Sequence, residues 1–292
     1  MAEIFEVILE VCIDTLKLIP FLFLTYLLME FLEHKTEEKT KMIMEKSGKL
    51  GPVLGSIVGV VPQCGFSATS SSLFSGGMIT VGTLLAVFLS TSDEMIPIFI
   101  SETVPVASIL KVVAAKFVIG AVSGLVIDMV IRIIRGKNGN DKDFHDLCER
   151  EHCGCEEDEK HGILLPALKH TIHITVFIFV VTLAVAILVY LIGEQAIADF
   201  LISIPGLGIF LAGIIGLIPN CASSVMLTEL YLSGMLTTGP FMAGILCASG
   251  MGLLVLFRTN GNVKENIRIM GILYAIAVFW GFLIQLLGIS FI

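Results

Sequence analysis

Residues 60–77 read VVPQCGFSATSSSLFSGG, and residues 217–234 read LIPNCASSVMLTELYLSG. The two stretches align without a gap at an offset of 157. Extended to 50–86 and 207–243, the alignment keeps 14 of 37 positions identical. These include Gly59/Gly216, Pro62/Pro219, Cys64/Cys221, Ser67/Ser224, Gly77/Gly234, Met78/Met235, Thr80/Thr237 and Gly82/Gly239. Apolar composition alone matches Leu with Leu, but it does not set a P-x-C-x-x-S core in phase with GM-x-T-x-G. The chain carries a duplicated unit.

The surroundings of both stretches are strongly apolar. Of the 292 residues, 55% are hydrophobic and 15% charged, and the mean hydropathy is +0.94. Soluble domains run nearer a quarter charged, so this composition reads as a polytopic membrane protein embedded in a lipid bilayer. Apolar segments fall at 4–32, 50–61, 78–101, 104–134, 163–192, 206–218, 235–257 and 266–290. The net charge of −8, with no basic arm, excludes nucleic acid as a partner. The N-terminus carries Glu3, Glu6 and Glu10 in place of a positive n-region, and reads as a retained first span. Cys12, Cys64, Cys221 and Cys247 lie in apolar segments, so the cysteines form no disulfide framework.

Lys and Arg placement sets the orientation. Residues 33–49 carry five Lys, the 135–162 linker carries more, and 258–268 holds Arg258, Lys264 and Arg268, whereas 193–205 has neither type. If 50–61 and 64–75 form a re-entrant hairpin, all the basic loops fall on the cytoplasmic side, and 193–205 and both termini fall outside. A single broken helix over 50–75 puts the basic linker outside, against the positive-inside rule. The reading is therefore an all-α membrane protein of two inverted repeats. Each repeat has transmembrane helices plus a re-entrant hairpin broken at P-x-C, about ten membrane segments in all. Repeat one is 1–134, the cytoplasmic linker 135–162, and repeat two 163–292. Pro62 and Pro219 end the descending arms, and the tips approach one another near the midplane.

Candidate substrate-binding residues follow from the tips: Gln63, Cys64, Ser67, Ser70 and Ser71 on one, Asn220, Cys221, Ser223 and Ser224 on the other. Amides supply donors and acceptors, thiols suit soft ions, and hydroxyls open the return arms. Asp93, Glu94 and Glu229 are candidates for cation binding or proton coupling, because ionisable groups within a membrane are costly. Their repeat partners are Gly250, Met251 and Ser72, so the duplicated fold does not demand them. Asp14, Lys17, Lys111, Lys116 and Asp128 read as groups that pair or snorkel. In the linker, His145, Cys148, His152, Cys153, Cys155 and His161 form a candidate metal-binding cluster among seven acids. A solvated connector is the alternative.

The duplicated GxxPQC and GxxPNC tips, the Ser-rich arms and the His/Cys-rich linker resemble a bacterial family of ten-transmembrane heavy-metal exporters, some labelled manganese transporters. The chain is more distantly similar to ArsP-type arsenical permeases. The resemblance implies a secondary transporter that exports a heavy-metal or metalloid species across the cytoplasmic membrane. The cysteines suit a thiophilic species better than manganese, which prefers oxygen ligands. No Walker A motif is present, and no HExxH, GxSxG or intramembrane CxxC, so neither ATP drive nor an enzyme is expected. A small organic or inorganic anion held by Ser hydroxyls and helix N-termini is the alternative substrate class. An intramembrane thiol enzyme and a passive channel are the lesser ones. No cofactor is expected beyond a metal ion as substrate, and a homodimer is an assembly open to such a chain.

Overall fold

The computed structural model describes residues 2–34, 50–92, 94–135, 164–192 and 207–292. Among these the chain forms twelve α-helices and no strand. Lipid cannot satisfy backbone polar groups, and a helix satisfies its own. The first six helices are α1 (Ala2–His34), α2 (Gly51–Val60), α3 (Cys64–Ser75), α4 (Val81–Ser90), α5 (Met95–Ser101) and α6 (Val106–Arg135). The second six are α7 (Leu164–Ile192), α8 (Gly208–Gly216), α9 (Cys221–Leu232), α10 (Thr238–Cys247), α11 (Gly252–Thr259) and α12 (Val263–Leu286). From α2 to α6, every helix start recurs 157 residues later, from α8 to α12.

Packing repeats as well. Gly51 lies against Thr83, Gly55 against Thr83 and Val87, and Gly59 against Val87 and Ser90, so α2 and α4 run parallel and in level. Two parallel neighbours that start together, joined through α3, require α3 to carry the chain back. The second half matches: Gly208 meets Pro240, and Gly216 meets Gly244 and Cys247. Next, α4 and α6 cross antiparallel at Gly82 and Gly124, where a Cβ on Gly82 would stand 2.3 Å from the Gly124 carbonyl oxygen. Their mates Gly239 and Gly281 bring α10 onto α12 the same way, at 2.9 Å. Only glycine allows backbones this close.

One cap is built twice. Asp128, on α6, accepts from the Thr80 hydroxyl at 2.6 Å and from Gly82 N–H at 2.8 Å. Its repeat mate Gln285, on α12, accepts from Thr237 at 3.2 Å and Gly239 N–H at 3.0 Å. Each closes the open N-terminus of the third long segment of its half.

Across the halves, α1 packs on α7 and α4 on α10, each helix against its own repeat mate. The α3–α11 contact is matched by its exchanged counterpart, α9–α5. That reciprocity is the signature of a pseudo-two-fold rather than of a stacked repeat. Trp280 Nε1 donates to Ser123 Oγ at 3.1 Å, and these too are repeat mates.

The apolar segment 78–101 is not one helix. Within Val81–Ser101, α4 stops at Ser90 and α5 begins at Met95; within Thr238–Thr259, the helix is broken between Cys247 and Gly252. Sequence hydropathy hides the second break, because Ala248, Ser249 and Gly250 look apolar enough to span. The backbone reason is Gly250, at φ +55, a left-handed conformation that glycine adopts readily. These broken stretches are 71% and 78% buried, against 28–33% for the other three stretches long and apolar enough to cross a membrane. The centre of the molecule is built around two broken helices.

Candidate functional site

The helix breaks at both P-x-C stretches. Val61, after α2, is extended at φ −64, ψ 124, and Gln63 is extended at φ −158, ψ 117, before α3 begins at Cys64. Asn220 holds the matching N-cap of α9 at φ −148, ψ 145. Its Oδ1 accepts from Ala222 N–H at 3.4 Å, while the Gln63 side chain makes no such cap.

The Ser residues turn inward on their own helices. Ser67, Ser70 and Ser71 donate to the carbonyls of Cys64, Phe66 and Ser67 at 2.8, 2.8 and 3.1 Å. Ser223 and Ser224 donate to Asn220 O and Cys221 O, both at 2.8 Å. Each hydroxyl proton is engaged, and the oxygen lone pairs remain. Ser71 also reaches Gly252 O at 2.7 Å, and Ser75 meets Thr259 at 2.7 Å, which fastens α3 along α11 in the parallel sense.

The second tip faces both breaks. Asn220, Cys221 and Ser224 share one narrow pocket with Thr91, Ser92 and Lys116 of the first half and with Ala248 and Gly250 of the second. It has room for about one water. Gln63 and Cys64 do not line it; the first tip's arm joins the same centre through Ser67, which lies against Gly252. Between Ala248 and Gly250, Ser249 is 2% exposed, and its hydroxyl has no hydrogen-bond partner among the described residues.

Lys116, read from the sequence only as a group that pairs or snorkels, is instead held in the interior. Its side chain is 1% exposed, and its ammonium donates to Thr91 O in one half and to Ile245 O, at 2.9 Å, in the other. The signal was present: KVVAAKFVIG sets a lysine inside a long apolar run, and such a residue usually faces the protein interior. What the sequence lacked was a partner within helical reach, because both carbonyls are distant along the chain.

The other candidates lie elsewhere. Glu94 is half-buried at the start of α5, within electrostatic range of Lys17, as is Cys64. Glu229 sits on the exposed side of α9, away from the pocket. Asp93 and the linker residues His145, Cys148, His152, Cys153, Cys155 and His161 lie outside the described residues. Among the described residues, no three His, Cys, Asp or Glu side chains gather as a metal cluster.

Among the described residues every element is a helix, and five stretches are long and apolar enough to cross a bilayer, two of them broken at a pocket; this is a multi-pass membrane protein. Residues 3–163 match the model of a family described as "Putative, 10TM heavy-metal exporter", more than half of the chain, and the chain belongs to that family. No curated protein and no solved structure matches it.

Proposed function

We propose that this chain is a secondary active transporter that exports a heavy-metal or metalloid species through a site at the hairpin tips. The observation that carries the reading is the shared pocket, where Asn220, Cys221 and Ser224 meet breaks from both halves. In transporters built of repeats, broken helices at the repeat interface characteristically frame the substrate. On this reading Gln63, Cys64, Ser67, Ser70 and Ser71, which lie outside this pocket, form the path to it from the first tip, with Ser223 beside the second. Engaged hydroxyl protons leave acceptor lone pairs, which favours a cation over an anion at these serines.

Helix directions support inverted repeats. With α2 parallel to α4, α3 runs opposite to both, and α11 runs parallel to α3. Provided that α11 continues the course of α10, the third long segments of the two halves point in opposite senses. The five segments per half, counting each hairpin as two, agree with the family's ten. On this reading the hairpins are re-entrant, the protein sits in a bacterial cytoplasmic membrane, and 135–162 is a cytoplasmic linker that delivers or senses metal. Glu94, Asp93 and Glu229 are the candidates for coupling export to protons.

A second reading, a small anion as substrate, is favoured by the Lys116 ammonium and by the start of α9 in the same pocket. Proteoliposome flux decides between them. Divalent metals, arsenite and small carboxylates are offered across a pH gradient. Metal or metalloid flux is expected, and flux of carboxylates alone would overturn the export of metal.

A further inference from the structure

Both broken spans stop in the most buried part of the molecule, and the carbonyls at their ends are beyond the reach of helical N–H groups. Thr91 O belongs to the first break, and Ile245 O to the last turn of α10. Helix C-termini carry partial negative charge, so a place where two of them meet is a seat for a cation. Lys116 supplies one, rising from α6 to donate to both carbonyls. The start of α9 opposes a cation here, but the hydroxyls of the lining favour one. The hydroxyls of Thr91, Ser92 and Ser224 donate to Val87 O, Ser90 O and Cys221 O, so their lone pairs are what a ligand meets. The repeat mate of Lys116 is Leu273, and the duplicated architecture therefore does without an amine at this position.

Resting on the export reading above, we infer that the Lys116 ammonium is the tethered occupant of a cation seat, and that the transported cation takes the seat by displacing it. Two positive charges within a pocket this narrow repel strongly in a medium drier than water, so occupancy is exclusive. Displacement releases Thr91 O and Ile245 O together, and these carbonyls belong to different halves. One amine thereby reports loading to both halves, and its return helps to expel the cation. The ligand class is a small metal cation with acceptor-oxygen and single-thiol coordination from Asn220, Ser224 and Cys221.

The test uses the full chain in nanodiscs, as wild type, Lys116→Gln and Lys116→Ala. Gln keeps a donor without charge, and Ala empties the seat. Zn2+, Cd2+ and Mn2+ are titrated one at a time, with affinity read by equilibrium dialysis. Both variants are expected to bind the transported metal at least about tenfold tighter than wild type, with slower efflux. Methylammonium, compared with choline, is expected to raise the melting temperature of Lys116→Ala saturably and to weaken its metal binding, with no such effect on wild type. Unchanged or weaker metal affinity in monodisperse Lys116→Gln overturns the inference, whether or not Lys116→Ala folds. So does methylammonium acting no better than choline on folded Lys116→Ala. Metal flux in wild type with unaltered Lys116→Gln affinity sinks the inference and leaves the export reading standing. Methylammonium filling Lys116→Ala while wild type moves no metal supports the seat and sinks the export reading.

Discussion

Gln63 and Asn220 hold matching places at the two tips, yet their amides do different work. Asn220 Oδ1 accepts from Ala222 N–H, while Gln63 caps nothing and keeps its amide for other partners. The expected outcomes differ accordingly. Gln63→Ala should lower transport or substrate affinity about five- to a hundredfold, with little change in melting temperature. Asn220→Ala should lower both, because losing an N-cap costs about 1 kcal/mol on top of any substrate contact. Affinity and melting temperature measured on the same two purified variants check this, and wild-type affinity in both would end the case for the tips. The tips were legible because proline, cysteine and serine stand out in an apolar chain. Lys116 was not, because its role depends on carbonyls at 91 and 245, and no local pattern announces a contact across 129 residues. Ser249 was hidden for the same reason: it becomes informative only once it is known to be buried with no hydrogen-bond partner among the described residues.

At the scale of elements, the duplication could be read around the hairpins, where Gly59/Gly216, Pro62/Pro219, Gly77/Gly234 and Gly82/Gly239 fall at one offset. The breaks inside the third segments could not, because hydropathy sums over a window and ignores a local change of φ. The Asp128 and Gln285 caps show what the architecture itself requires. One half uses the two oxygens of a carboxylate, and the other a single amide oxygen, for the same pair of donors. The requirement is an acceptor, not a charge. Asp128→Asn should therefore leave the melting temperature nearly unchanged, while Asp128→Ala should destabilise by about 1–3 kcal/mol by stranding Thr80 and Gly82 N–H. Thermal unfolding of both variants tests this, and equal losses would mean that the charge of Asp128 matters after all. Gly82→Ala is expected to be worse than either, because its Cβ would press on the Gly124 backbone, which cannot rotate away. Overpacking of this kind costs about 1–3 kcal/mol or more. Poor insertion or early unfolding is the expected readout, and wild-type stability would refute the close crossing of α4 and α6.

For the whole molecule, orientation and motion are the remaining questions, and each has a direct test. The placement of basic loops predicts that a cysteine introduced at position 140 stays unlabelled by impermeant maleimide in intact cells, while one at 200 is labelled. Labelling at 140 would refute the hairpin topology. Motion is addressed where the halves touch. Along α3 and α11, Ser75 Oγ stands 2.7 Å from Thr259 Oγ, and Ser71 Oγ stands 2.7 Å from Gly252 O. Hydrogen bonds between membrane helices are modest, about 0.6 kcal/mol on average, so this seam is strong enough to define a resting state and weak enough to part. If transport rocks one half against the other about the pseudo-two-fold, the seam must slide or open in each cycle. Two side-chain oxygens in hydrogen-bond contact bring their Cβ atoms near enough for small motions of the helices to let a disulfide bridge them. The double substitution Ser75→Cys and Thr259→Cys, oxidised in the membrane, should therefore cross-link efficiently and stop flux, and dithiothreitol should restore it. Each single cysteine variant should keep transporting under the same oxidant, which separates cross-linking from oxidation of Cys64 or Cys221. Full flux through the cross-linked protein would show that α3 and α11 move as one body, and the moving boundary would then lie elsewhere.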